Sequence, residues 1–229
     1  MCGGALGNNI KYMNEQKRLR EQLEEFNAAN KKVRFTFGTL VVTGWCVFLI
    51  IIATFTQFNF SHYVLTNPSS GSWWALKNYS YIPQIPIILF IAALIGKRFG
   101  ILAVTIYIAL GLALFPLFAL GGGLPYLFEY SFGYIIAYIP AIFVTSFVLQ
   151  NKFTYGNIAK AAFFGTITIH LIGIFYLILM AIIHRDTFSS VSDWISIQSG
   201  VKMVYDFIFG FLAILLAKPV RQILWITMG

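Results

Sequence analysis

Ionisable and amide side chains inside long apolar stretches are the residues of this chain that could do chemistry. Asp206 lies about one and a half turns into the last apolar stretch, and Lys202 precedes it by four residues, so the two share a helix face. His170 lies near the middle of the fifth stretch, and Gln84 lies at the start of the second, flanked by two prolines. Because a polar group is costly in hydrocarbon, each should face another polar group or a cavity.

Each of these residues has a structural and a functional interpretation. Lys202 and Asp206 form either a local ion pair near the outer interface or a pair of polar anchors for a ligand. His170 either hydrogen-bonds a neighbouring helix or reaches a ligand. The prolines around Gln84 either mark an ordinary helix start or free backbone groups that face a cavity. The spacing of the residues leaves both interpretations open.

Motifs of several other chemistries are missing from the sequence. There is no G-x-x-x-x-G-K-[ST] P-loop and no G-x-S-x-G nucleophile motif, so neither ATP hydrolysis by that route nor that type of serine hydrolase is indicated. No H-x-x-x-H or C-x-x-C spacing occurs, and the three histidines are dispersed. We therefore predict that the chain is not an enzyme and that it holds no metal and no cofactor.

Six apolar stretches position the polar residues. With 59% hydrophobic residues, 10% charged residues and a mean hydropathy of +0.77, the composition is typical of a membrane protein. A helix needs roughly 20 mainly apolar residues to cross the hydrocarbon, and without water each such stretch should be helical. We predict an all-α polytopic membrane protein with six transmembrane helices, near residues 36–57, 79–96, 99–120, 131–149, 159–183 and 201–217.

Positive charge lies mainly on one side of this predicted bundle. Thirteen of the 16 Lys and Arg residues fall in the N-terminal tail, the second and fourth connections and the C-terminal tail. The positive-inside rule then predicts that both termini are cytoplasmic, which agrees with an even number of spans, since that number places both termini on the same side. Insertion topology therefore explains the formal charge of +8, and scattered basic residues do not indicate nucleic-acid binding. Residues 1–35 are predicted to be a partly helical cytoplasmic segment and residues 36–229 one membrane domain.

The predicted outer end of the bundle combines a glycine-rich loop with acidic and aromatic side chains. The run 121–123 is three glycines, and it either lets a ligand approach the backbone closely or is simply a flexible loop. Glu129 follows it, and a small, partly apolar solute between this loop and the last helices is a coherent arrangement. Aromatic residues at this end form either an interfacial belt or the wall of a pocket, and they are Tyr63, Trp73, Trp74, Tyr79, Tyr81, Tyr126, Tyr130 and Trp194.

Spaced glycine, proline and aromatic residues run from about residue 83 to residue 217. Pro83-Gln84 followed by the run 96–100, which reads GKRFG, resembles a glutamine near a helix start and a Gly-Pro-Arg/Lys-x-Gly turn in the BioY family. Members of this family are the substrate-binding subunits of energy-coupling-factor biotin transporters. Further positions that resemble the family pattern are Tyr107, Gly111, Pro116, Phe118, Ala119, the glycines at 121–123, Gly133, Tyr134, Asp206 and the Leu-Leu-Ala at 215–217.

The chain departs from the family pattern mainly near the ligand-facing end. The family's Gly-Pro-Thr-Gly-Gly-Tyr reads EYSFGY at 129–134. The family's Asp-x-x-Lys motif is incomplete in this chain, because no lysine follows Asp206 at the third position. Lys202 could replace that lysine from the preceding turn. His170 stands where the family has a tyrosine, and the Pro-Gly before the aspartate is missing.

The resemblance implies a vitamin-capture subunit in a bacterial-type plasma membrane. A biotin-like ligand would enter from outside, and a partner membrane protein driven by two ATPases would complete the transporter. Within this interpretation we predict the roles of the site residues: Asp206 and Glu129 as polar anchors, Lys202 as a carboxylate partner, Gln84 and His170 as hydrogen-bonding groups, and Tyr134 and Phe118 as packing surfaces.

Three alternatives stay open from the sequence. A transporter subunit for a different small molecule would share the fold and differ in its ligand. A non-transporting membrane scaffold would use its charged N-terminal segment to recruit a partner, whereas a transporter subunit would still bind its ligand without residues 1–30. An intramembrane enzyme would lose turnover on Asp206→Asn but would keep substrate binding.

Overall fold

Helices dominate the part of the chain that the computed structural model describes, which is residues 37–65, 74–113, 115–150 and 153–228. The prediction for residues 1–35 lies outside these residues. The mostly helical architecture is confirmed, but a β-hairpin lies between the first two helices, so the all-α prediction is wrong in this element. The elements in chain order are α1 Phe37–Phe55, β1 Phe58–Leu65, β2 Trp74–Tyr81, α2 Gln84–Ala113, a 3-10 turn Leu124–Phe128, α3 Phe132–Ile136, α4 Tyr138–Leu149, α5 Tyr155–His184, α6 Phe188–Ser199 and α7 Val201–Met228.

Five helical segments among the described residues are long and apolar enough to cross a membrane. Each contains an 18-residue window with a mean hydropathy of 1.8 or more. Length and apolar composition are the two properties that a bilayer requires of a spanning helix. The segments are Phe37–Phe55, Gln84–Ala113, Phe132–Leu149, Tyr155–His184 and Phe188–Leu224.

The second and third predicted spans fall together in α2, which is broken at Gly96. This glycine has φ 71° and ψ −176°, a conformation that is open to glycine and strained for other residues. The amide Nε2 of Gln84 donates to the hydroxyl of Tyr107 over 3.2 Å, although a straight helix would separate these residues by roughly 35 Å. The chain therefore reverses at Gly96, and the two halves of α2 lie side by side.

The boundaries of several predicted elements are wrong. The third predicted span continued to residue 120, but the helix ends at Ala113, and Pro116 lies in the non-helical segment that follows. The second was predicted to begin at residue 79, which lies in β2. The predicted connection 184–200 is largely helix α6, whose N-cap Thr187 accepts a hydrogen bond from the backbone N–H of Ser190. The last predicted span stopped at residue 217, whereas α7 continues to Met228.

The hairpin is antiparallel and packs aromatic side chains against α7. Its strands are rich in aromatic residues, which favour extended structure, and Phe60 lies directly opposite Tyr79. The rings of Phe60 and Tyr79 stack on Tyr205 of α7 at centroid distances of 5.8 and 6.0 Å. Tyr81, at the end of β2, lies 5.3 Å from the ring of Phe209. These contacts hold Tyr81 against the helix that carries Asp206.

The buried core lies where α2, α4, α5 and α7 pack against one another. The chain divides into the compact units Met1–Leu40 and Val41–Gly229, and every contact described below lies in the second. Gly173 of α5 allows one close approach in this core, because a Cβ there would lie only 2.5 Å from the ring of Tyr134. Glycine at this position therefore lets the tyrosine ring rest directly on the backbone of α5.

Candidate functional site

Asp206 is fully buried and accepts hydrogen bonds from three different elements. The hydroxyl of Tyr81 donates to Oδ1 over 2.7 Å. Lys202 Nζ donates to Oδ2 over 2.8 Å, and His170 Nε2 lies 3.2 Å from the same oxygen. A buried carboxylate is tolerable only with such partners, and the lysine gives it an opposite charge. The structure thus brings together three of the predicted site residues, Asp206, Lys202 and His170.

His170 extends this cluster towards α3 and α6. Its Nδ1 atom lies 2.9 Å from the hydroxyl oxygen of Ser199, which in turn lies 2.7 Å from the hydroxyl oxygen of Tyr134. The Tyr134 ring also contacts the imidazole edge to face, with centroids 5.9 Å apart. One continuous hydrogen-bonded chain therefore runs from Tyr81 through Asp206, His170 and Ser199 to Tyr134.

Tyr81 lies outside the apolar helices, and its surroundings keep its hydroxyl protonated. Burial raises the pKa of Tyr81 far above its usual range, and the nearby negative charge and hydrogen bond of Asp206 raise it further. A neutral phenol is a hydrogen-bond donor as well as an acceptor, so Tyr81 can donate to the carboxylate at all physiological pH values.

Gln84 forms a second polar cluster that ties together α1, both halves of α2, and α4. Its Nε2 atom donates to Thr54 Oγ1 over 2.6 Å and to the Tyr107 hydroxyl over 3.2 Å. Its Oε1 atom accepts from the Tyr138 hydroxyl over 3.0 Å. Both amide N–H groups are used within the protein, so only one lone pair of Oε1 is left for a ligand.

A small cavity lies between these two clusters. Its volume is about 80 Å³, below the roughly 300–1,000 Å³ that is usual for ligand pockets, so a vitamin-sized solute requires its walls to move apart. Three predicted site residues, Gln84, Tyr134 and Lys202, lie on its wall. The polar side chains of the wall belong to Gln84, Tyr126, Ser131, Tyr134, Tyr138, Gln198 and Lys202.

The other predicted site residues do not line the cavity. Asp206 and His170 lie behind its wall, through Lys202 and Tyr134. Phe118 is buried and packs on Tyr126, with ring centroids 4.6 Å apart, so it supports a wall residue from behind. Glu129 is exposed and belongs to neither cluster.

Sequence reasoning missed Ser199, Thr54 and the specific role of Tyr81. Ser199 lies in a segment interpreted as a connection, and no spacing rule relates it to His170, which is 29 residues earlier. Tyr81 belongs to the predicted aromatic belt, and only the folded structure shows that its hydroxyl reaches Asp206. A polar or aromatic residue next to an apolar stretch can be recognised in the sequence, but the sequence does not show which residue its side chain contacts.

The fold and the site define an α-helical integral membrane protein with a small cavity inside its helical bundle, lined by both polar and apolar side chains. The family model for the BioY family matches residues 30–225, and the chain belongs to this family. The family resemblance predicted from the sequence is thereby confirmed.

Two individual proteins are similar to this chain. The probable biotin transporter BioY of Lysinibacillus sphaericus is 27% identical over 142 residues, which cover 61% of this chain and 72% of that protein. The crystal structure of the S-component for biotin from an ECF-type ABC transporter is 22% identical, with a TM-score of 0.59. That match covers 80% of this chain and 90% of the other, and it shows a shared fold.

Proposed function

We propose that this protein is the substrate-binding membrane subunit of a biotin-uptake transporter. It captures its ligand from outside the cell and performs transport rather than catalysis. The proposal is supported by membership of the BioY family and by the two similar proteins, a probable biotin transporter and the S-component for biotin of an ECF-type ABC transporter. The observation that carries it is the cavity wall, on which Lys202, held by the buried Asp206, presents an ammonium group beside apolar side chains.

Biotin combines a carboxylate with a polar ring system and an aliphatic chain. Lys202 has three N–H donors, and one of them is used by Asp206, so the others are available to a ligand carboxylate. Gln198 and Ser131 are further polar groups of the wall, and Ile82, Ile85 and others are apolar. A wall of this kind suits a small amphipathic acid.

Because the cavity measures only about 80 Å³, ligand entry requires one side of it to move, and α6 is the element best suited to do so. None of its residues is fully buried, whereas the helices around it have many buried residues. Its C-terminal residues Gln198 and Ser199 contribute to the cavity wall and to the hydrogen-bonded chain. Outward movement of α6 would therefore open the site without disrupting the core.

The bundle crosses the membrane six times in this proposal, with both termini in the cytoplasm. The reversal of α2 at Gly96 supports two crossings within that element, and basic residues lie at the reversal and in α7 near its end. A partner membrane protein with a pair of ATPases would drive transport, since the sequence contains no P-loop. Residues 1–35 would be a cytoplasmic segment.

Isothermal titration calorimetry of the purified full chain in nanodiscs tests the proposal. Biotin is expected to bind, and Lys202→Met is expected to weaken binding by roughly tenfold or more, because a charge-assisted hydrogen bond contributes about 1.5–3 kcal/mol. Lys160→Met, at an exposed position of α5, is the matched control and should leave the affinity unchanged. Binding of another vitamin but not of biotin would show that the ligand is wrong and the class of protein right; no binding of any vitamin would contradict the proposed function.

A further inference from the structure

The hydrogen-bonded chain behind the cavity has a definite direction when His170 is neutral. The carboxylate of Asp206 can only accept, so Nε2 of His170 carries the proton that it donates to Oδ2. Nδ1 is then an acceptor and receives the hydroxyl proton of Ser199. The Ser199 oxygen in turn accepts from the hydroxyl of Tyr134, so this tyrosine points its only proton away from the cavity.

The charges around His170 balance only while the cavity is empty. The side chains that face the imidazole are Asp206 and Ser199, which hydrogen-bond to it, and Tyr134, which packs on it. Lys202 of α7 and Tyr81 of β2 bind the same carboxylate, so the formal charges of the buried cluster are one negative and one positive. A carboxylate that enters beside Lys202 would leave one negative charge without a counter-charge, which is costly away from water.

We propose that a monocarboxylate ligand binds this site together with one proton, which His170 takes up at Nδ1. The proton comes from solvent water, no covalent bond to carbon changes, and the imidazolium restores charge neutrality. The inference rests on the proposed function for the ligand's charge, and it goes beyond it by assigning His170 and Ser199 as positioning residues that couple binding to protonation.

Uptake of the proton reverses the direction of the chain. Nδ1–H then donates to Ser199, and the serine hydroxyl donates to the oxygen of Tyr134. Tyr134 keeps its hydroxyl proton, but that proton no longer donates to Ser199. Because Tyr134 lines the cavity, its hydroxyl becomes a donor to the ligand. Protonation of a residue that does not touch the cavity thus changes the polarity of the cavity wall.

Calorimetric titrations of the full chain with biotin at pH 7.5, in buffers of different ionisation enthalpy, measure the number of protons taken up. We expect a value approaching one for biotin and near zero for its uncharged primary amide. We also expect the affinity for biotin to rise as the pH falls between 8.5 and 6.5, by at most about tenfold per pH unit, which is the limit for one coupled proton. Biotin binding without proton uptake would overturn the inference and leave the proposed function intact.

Two variants separate His170 from other sources of protons. His170→Gln keeps a hydrogen-bonding side chain without a titratable ring, and it should abolish proton uptake and flatten the pH dependence. His184→Gln is the matched control, because His184 is exposed at the end of α5 and should leave the proton number unchanged. Equal proton uptake in His170→Gln and the wild type would overturn the inference. If His170→Gln does not fold, the comparison of biotin with its amide on the wild-type protein still tests the inference.

Ser199→Ala tests the relay to Tyr134. The alanine removes the hydroxyl between the two rings while His170 keeps its contact with Asp206. We expect proton uptake to persist and the affinity for biotin to fall several-fold, with recovery in Ser199→Thr. An affinity for biotin that is unchanged in Ser199→Ala would contradict the relay.

Discussion

At the scale of single residues, the site depends on how one buried carboxylate is satisfied. Asp206 draws its three hydrogen-bond donors from β2, α5 and its own helix. Removing one donor from a buried polar group costs more than the bond is worth on average, because the group that remains loses its compensation. The same residues therefore stabilise the fold and define the polarity of the cavity.

We predict that Tyr81→Phe destabilises the protein, because the mutation leaves Oδ1 of Asp206 without its donor from β2. An unsatisfied buried acceptor costs about 1–3 kcal/mol, so the midpoint of thermal unfolding in detergent should fall by several degrees. Tyr155→Phe removes the same hydroxyl at an exposed position and is the matched control. Equal midpoints for the two variants would mean that the bond between Tyr81 and Asp206 adds nothing to stability.

At the scale of elements, the break in α2 is what lets the two halves of this helix lie side by side. Reversal at Gly96 ends the regular helical hydrogen bonding and leaves the carbonyl of Ala93 near the break. Arg221 of α7 donates to this carbonyl from Nη1 over 3.1 Å, and its guanidinium lies 5.3 Å from the ring of Phe153. The C-terminal end of α7 therefore supports the turn in α2, whereas Asp206 lies near the N-terminal end of α7.

We predict that Gly96→Ala lowers the free energy of unfolding by about 1–3 kcal/mol, because the conformation at this residue is accessible almost only to glycine. Gly44→Ala is the matched control, since Gly44 lies inside α1 with open space around its Cα, where alanine favours the helix. Thermal unfolding in detergent measures both variants. A Gly96→Ala variant as stable as the wild type would mean that the chain reverses in another way.

At the scale of the whole molecule, the orientation in the membrane determines which side the ligand enters from. The cavity lies near the hairpin and α6, whereas Lys97 lies at the reversal of α2. In the orientation that we propose, the positive-inside rule would place Lys97 in the cytoplasm and the hairpin outside.

We predict that a cysteine replacing Asn59, which is exposed in β1, reacts with a membrane-impermeant maleimide in intact cells. Lys97→Cys should react only after the cells are permeabilised. Both variants are made in a background in which Cys2 and Cys46 are replaced, so that each contains one thiol. Labelling of Lys97→Cys in intact cells, without labelling at Asn59, would reverse the proposed orientation.

Local composition was enough to predict the membrane class, the approximate positions of the apolar helices and the polar residues worth testing. A bilayer accepts only backbone that satisfies its own hydrogen bonds, so an apolar run of sufficient length predicts a helix without knowledge of its neighbours. The cost of polar groups in hydrocarbon also identified Asp206, Lys202 and His170. A polar side chain at membrane depth needs a polar partner, even when the sequence does not show which residue supplies it. Local composition also located the interruption at Gly96, since glycine and two basic residues divide two apolar runs.

The contacts between the polar groups, in contrast, follow only from the packed fold. Tyr81 and Asp206 are 125 residues apart, and Ser199 and Tyr134 are 65 apart, so no local periodicity relates them. The hairpin escaped prediction because the pairing of its strands depends on residues on both sides of a turn, and its aromatic residues are equally typical of a membrane interface. Glu129 is predicted from the sequence as a ligand anchor, and in the structure its side chain is exposed and is not part of the cavity wall. Helix formation follows from local composition, whereas a site is assembled by packing among distant segments, which composition does not encode.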